Sequence, residues 1–85
     1  MKIQTARLFD EDYNVLPQSI QDRADKQFSL LLNNPRHPSL RLKKMKGHPN
    51  IWEGRITQSY RFTFQIVGET YLLRRIGTHP ILKAP

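Results

Sequence analysis

Ile51-Trp-Glu-Gly-Arg-Ile-Thr-Gln-Ser-Tyr-Arg-Phe-Thr-Phe-Gln-Ile66 is the stretch that decides the fold. After Ile51 its apolar side chains, Trp52, Ile56, Tyr60, Phe62, Phe64 and Ile66, all stand at even positions. That is the period of two required of strands with one buried face. Arg55 and Arg61 stand at odd positions. Because a one-residue slip turns every side chain over, an antiparallel hairpin that buries the even residues sends both arginines to the opposite, wet face. Two fixed cations on one side of a rigid sheet make a platform for a phosphate.

Beyond the hairpin, Val67-Gly68-Glu69-Thr70 reads as a turn, Tyr71 to Ile76 as a further strand closed by Gly77, and Thr78 to Pro85 as a short tail. Before it, Gly47-His48-Pro49-Asn50 is a turn, and Leu40 to Lys44 forms a possible extra short strand whose buried face is ambiguous. Pro35 and Pro38 end a helix, since each disfavours helical geometry in the residue before it. In that helix Ile20, Ala24, Phe28, Leu31 and Leu32 form one apolar stripe, read as a core face, with Pro17 suited to the first position. Lys2 to Phe9 looks extended; Asp10 then offers an N-cap, with Glu11 and Asp12 in the first turn of a short helix to about Leu16.

The order is strand, helix, helix, then three or four strands joined by turns too short for crossovers, hence antiparallel neighbours. The expectation is an α+β fold, with two N-terminal helices packed on one face of a small, mainly antiparallel twisted sheet. All 85 residues form one domain, 1–85, too short for a second core.

Charge is distributed unevenly. Residues 1–34 carry four Lys or Arg against five Asp or Glu, a net −1, whereas residues 35–85 carry ten against two, a net +8. A field concentrated in this way favours a polyanion or an acidic partner over a merely solvated basic face. The absence of cysteine excludes disulfide frameworks and thiol chemistry. No apolar run reaches the length of a signal peptide or of a membrane span, so the reading is a soluble cytoplasmic protein with no membrane partner.

No glycine-rich phosphate loop, HExxH pair or G-x-S-x-G elbow is present, and His37, His48 and His79 fall in separate loops without metal-ligand spacing. Arginine, lysine and histidine remain, and they suffice for cleaving RNA without a metal or other cofactor. That reaction needs an activated 2′-hydroxyl, charge stabilisation at the phosphate and a proton for the leaving 5′-oxygen. Arginine suits the second task, and histidine the first or third. Arg61 and Arg55 lie on the polar hairpin face, with His79 just past the next strand. The residues alone leave Arg55 open between a phosphate ligand and a solvated partner of Thr63 or Gln65. They leave Glu53 open between a general base and the salt-bridge partner of a neighbouring arginine. Lys43, Lys44 and Lys46 are a solvated charge run or a hold on RNA backbone.

Asn34-Pro-Arg-His-Pro-Ser-Leu-Arg41, Leu42-Lys-Lys-Met-Lys-Gly47, Trp52-Glu-Gly-Arg-Ile56, Tyr60-Arg-Phe-Thr-Phe64 and Ile76-Gly-Thr-His79, in this order, resemble the RelE/ParE superfamily of type II toxin–antitoxin toxins. The resemblance covers almost the whole chain. It implies a ribosome-dependent mRNA endonuclease that uses no cofactor. The partners it implies are the ribosome and mRNA, a cognate antitoxin, and operator DNA only as the toxin–antitoxin complex. Carried over by residue, it gives Arg61 as the phosphate-stabilising arginine, Arg55 as a basic position on the preceding strand, and His79 as the catalytic histidine or arginine. Lys43, Lys44, Lys46, Arg41, Arg74 and Arg75 become RNA-binding candidates. Glu53 stands where RelE carries a lysine, and Pro80 where an acidic residue is common. The same scaffold carries two other functions: a ParE-like inhibitor of DNA gyrase without nuclease residues, and an inactive antitoxin-binding relic.

Overall fold

The computed structural model describes residues 1–85. The chain runs β1 (Lys2–Thr5), α1 (Arg7–Asn14), α2 (Gln18–Asn33), a 3-10 turn (Pro38–Leu40), β2 (Lys43–Lys44), β3 (Trp52–Arg55), β4 (Arg61–Val67), β5 (Thr70–Gly77) and a second 3-10 turn (His79–Lys83). The five strands make one sheet in the order β1-β5-β4-β3-β2, and the two helices pack on it, as the sequence order requires. Only β1 is parallel to its neighbour, β5; the other pairs are antiparallel. No helix is long and apolar enough to cross a membrane.

The even-numbered hairpin residues do share the buried face. Phe62, Phe64 and Ile56 are buried, and Phe28 of α2 meets the Phe62 ring edge-on at 5.1 Å. Gly54 sits opposite Phe62, whose ring occupies the space a Cβ would need, with Leu42 Cδ2 only 2.9 Å from the same point. Glycine is therefore required there by close packing rather than by its backbone angles. Ile66 departs from the expectation. It lies past Trp52–Phe64, the last β3–β4 pair towards the β4–β5 turn, and it is 49% exposed.

Helix α2 buries a slightly different stripe from the one expected. At 100° per residue, roughly, Leu31 lies about 20° from Ala24 around the helix but Leu32 about 80°. Leu32 accordingly faces outward, and Gln27 takes a buried place on the apolar side. Helix α1 starts at Arg7, not at Asp10, and its cap position, Ala6, makes no side-chain bond. Packing overrides the capping signal here. Phe9 is buried and stacks on Tyr13 four residues later at 6.1 Å, which requires helical geometry before Asp10. The possible strand near Leu40 shrinks to two residues, because Leu40 is carried into the core by the 3-10 turn.

The opposite face is less wet than parity suggests. A register shift skips Arg74, so Arg75 pairs with Thr63 and Leu73 with Phe64. The segment after β5 then folds across this face. Thr63 Oγ1 and Arg74 Nε both donate to the Pro85 main-chain oxygen, Arg75 Nη1 donates to Ala84 O, and Ile81 is buried against Gly77. Thr63 has no exposed surface at all. Asp12 on α1 completes the clamp. Its carboxylate accepts from Arg75 Nε at 2.7 Å, from Arg75 Nη2 at 3.2 Å and from the Ile76 N–H at 3.2 Å. Where β1 has ended, α1 thus supplies a partner to a β5 amide and covers the open edge.

Candidate functional site

What the tail leaves open on this face is the end that carries Arg55 and Arg61. These residues are direct cross-strand partners. Neither Thr63 nor Gln65 is the partner of Arg55, because Thr63 stands opposite Glu53. Like charges directly opposite each other destabilise a ladder, so the pair is an arrangement suited to receiving an anion.

The turn between β3 and β4 fixes one of the two cations. Thr57 Oγ1 accepts from the Ser59 and Tyr60 N–H groups, tightening the turn. Arg61 folds back beneath it, and its Nη1 donates to Thr57 O and Gln58 O at 2.7 Å and to Tyr60 O at 3.3 Å. The guanidinium is held at one corner while Nε and Nη2 keep their donors for a ligand. Arg55 is held differently. Its Nε is buried with no hydrogen-bond partner. Burial first, then the charges of Arg61 and Arg41, push its pKa below the usual guanidinium value, with Glu53 pulling the other way.

Three depressions adjoin one another here through shared lining residues. The central one, about 250 Å³, is lined by Arg41, Lys43, Glu53, Gly54, Arg55 and Arg61 and has no apolar side chain. A second, about 320 Å³, brings Arg61 together with His79, beside Gln58 and Thr78. The third, about 630 Å³, lies towards α2 and again includes Arg41 and Arg55. Arg61 therefore borders both the depression that holds Glu53 and the one that holds His79. His79 is exposed at the start of its 3-10 turn, whose buried Ile81 anchors it.

Glu53 is nearly buried, and its salt-bridge partner is Lys43 at 3.4 Å, across the β2–β3 ladder, rather than an arginine. Lys44 points to the other face, with its ammonium 5.6 Å from the centre of the Trp52 ring. Lys46 is exposed beyond β2. Arg41 has a left-handed backbone (φ 46) at the close of the first 3-10 turn and is exposed at the rim. Arg74 and Arg75 are committed to Gln65, Asp12 and the tail carbonyls, away from the central depression. His37 caps the first 3-10 turn, where its Nδ1 accepts from the Ser39 N–H.

Sequence reasoning missed Gln27. From the buried side of α2 its Nε2 donates to Arg55 O at 3.0 Å and to Ser39 O at 3.3 Å, tying the helix to both loops that carry the cations. The only available signal was a polar residue between Ala24 and Leu31 inside an apolar stripe.

This scaffold has solved relatives. A YoeB/ParE toxin from Agrobacterium tumefaciens superposes with a TM-score of 0.80 over 93% of this chain and 99% of its own, at 18% identity. The fold is that of the RelE/ParE toxins. YafQ from E. coli strain BL21(DE3) gives 0.77 over 94% of both chains at 14% identity. A chain of the RelB–RelE antitoxin–toxin complex from Methanococcus jannaschii gives 0.71, also over 94% of both, at 24% identity. No protein-family model and no curated protein sequence matches the chain. At the open end of the sheet the two adjoining depressions group Glu53, Arg55 and Arg61 in one and Arg61 with His79 in the other.

Proposed function

We propose that this protein is the toxin of a toxin–antitoxin pair and cleaves translated mRNA on the ribosome, without a metal. The observation that carries the reading is the placement of Arg61, fixed by its turn, on the border of both the depression that holds Glu53 and the one that holds His79. Attack of a 2′-oxygen on the neighbouring phosphorus forms one P–O bond and breaks the bond to the 5′-oxygen. It needs a base and an acid on opposite sides of the phosphate. Glu53 takes the 2′-hydroxyl proton, with Lys43 orienting its carboxylate. Arg61 and Arg55 stabilise the charge that builds on the phosphate oxygens. His79 protonates the departing 5′-oxygen. The products are a 2′,3′-cyclic phosphate and a free 5′-hydroxyl.

Solved relatives that include the RelB–RelE complex and an E. coli DinJ–YafQ toxin–antitoxin complex support an antitoxin partner. The net charge of +7 fits an acidic one. The test is induced expression followed by primer extension on translated messages. The expected result is discrete breaks that disappear in Arg61→Ala and fall sharply in His79→Ala. Breaks that persist unchanged in the double variant would overturn the assignment. Inhibition of purified gyrase supercoiling without RNA breaks would replace it with the gyrase reading.

A further inference from the structure

A depression that adjoins the cleavage site has an unusual lining. About 630 Å³ in volume, it runs between α2 and the β3–β4 turn, and Arg23, Lys26, Arg41 and Arg55 face it together with His37. No carboxylate lines it. The chain's ion pairs, Lys43–Glu53 and Arg75–Asp12, use none of these cations. The buried Nε of Arg55 has no partner within the protein. Four uncompensated cations with an unfilled donor describe an anion site.

Its connections say which anion. The groove shares Arg41 and Arg55 with the central depression and Gln58 with the His79 depression, so it opens into the cleavage site on both sides of the turn. We infer that this groove holds the sugar–phosphate backbone of single-stranded RNA as it passes from the cleavage site around the end of the sheet, an inference that rests on the nuclease reading above. No Phe, Tyr or Trp lines it and cations dominate the lining, so the contacts are chiefly to phosphate, tolerant of sequence. A duplex cannot follow the path. Double-helical DNA resists bending over roughly 150 bp, whereas the whole protein spans 31 × 27 × 23 Å.

Arg23 and Lys26 are the residues to change, because both are exposed on α2 and lie outside the catalytic grouping. Glutamine keeps helix propensity and removes only charge. The probe is a fluorescent nine-nucleotide RNA with every 2′-oxygen methylated, so that it cannot be cut, and binding is read by anisotropy across a salt series. For single strands the logarithm of the binding constant falls with the logarithm of salt by about 0.7 per phosphate contact. The Arg23→Gln, Lys26→Gln variant is therefore expected to flatten the slope by about 1.4, while a three-nucleotide probe binds parent and variant alike. An unchanged slope, an equal loss with the short probe, or tighter binding of a duplex of the same sequence would each overturn the track. Primer extension on the parent is read separately. A flattened slope without breaks in cells removes the nuclease reading and leaves the groove, whereas breaks with an unchanged slope remove the groove alone.

Discussion

Replacing Asp12 with alanine tests the clamp between α1, the edge of β5 and the tail that carries His79. The carboxylate accepts three hydrogen bonds, two from Arg75 and one from the Ile76 amide. The ion pair is about one-fifth exposed on each side. A hydrogen bond to a charged group contributes about 1.5–3 kcal/mol, and an amide left without a partner costs about 1–3 kcal/mol. These contributions overlap, and the freed guanidinium can still reach water and Ala84 O. The net loss is therefore about 2–3 kcal/mol, well below the sum. For a domain of this size 1 kcal/mol moves the melting midpoint by roughly 4–8 °C, so Asp12→Ala is expected to melt roughly 10–20 °C lower. Far-UV circular dichroism gives the midpoint, and amide hydrogen exchange gives the location, with the Ile76 N–H losing protection ahead of the central β4 amides. Asp12→Asn retains an acceptor for Ile76 and falls in between. A midpoint within about 2 °C of the parent for Asp12→Ala would show that the edge is held by packing alone.

Two further outcomes follow from single contacts. Gly54→Ala forces a methyl group against the Phe62 ring and Leu42, and overpacking of this kind costs about 1–3 kcal/mol, measurable as a lower urea midpoint with an unchanged slope. The Tyr13 hydroxyl donates to Asp25 at 2.7 Å, and that bond, with burial and the acidic charges of Asp25 and Asp22, pushes its pKa from 10.0 up to about 12. Its stabilising effect is full below pH 10 and is lost as pH rises from 10 through 12. The stability difference between parent and Tyr13→Phe should therefore shrink over that window, and a phenol titrating late at 295 nm should vanish in the variant. A difference that stays constant up to pH 12 would remove Asp25 as the cause.

The hairpin could be read from sequence because its burial pattern is local: the apolar even residues as far as Phe64 face inward, with Ile66 the exception, and Arg55 and Arg61 pair on the other face. The two-layer arrangement was legible for the same reason, since the stripe on α2 and the short late turns leave few topologies. What escaped was non-local or polar. The parallel pairing of β1 with β5 joins residues at the two ends of the chain and leaves no mark in either segment. The tail docks through Arg74, Arg75 and Thr63 bonding to main-chain oxygens, a mode with no hydrophobic period. For that reason Arg74 and Arg75 look like free cations in the sequence although the fold uses them internally. Asp10 looked like a cap because the stacking of Phe9 on Tyr13 and its contact with Phe28 are visible only once the helix exists.

The sheet has two ways of treating a cation on its outer face, and the contrast between them points to the site. Arg75 has Asp12, Arg74 has Gln65 and the tail oxygen, and Lys43 has Glu53. Each is balanced by a neighbour that the fold provides. Arg55 has a like charge opposite it, a second in Arg41, and a buried donor with nothing to bond. A protein selected only for stability would not keep that arrangement, because replacing either arginine by a neutral polar residue relieves the repulsion without touching the core. The unbalanced charge is concentrated beside the start of the tail, around the one turn that also rigidifies Arg61. In the proposed reaction a phosphate supplies what the fold withholds: negative charge between the two guanidinium groups and an acceptor for the buried Nε.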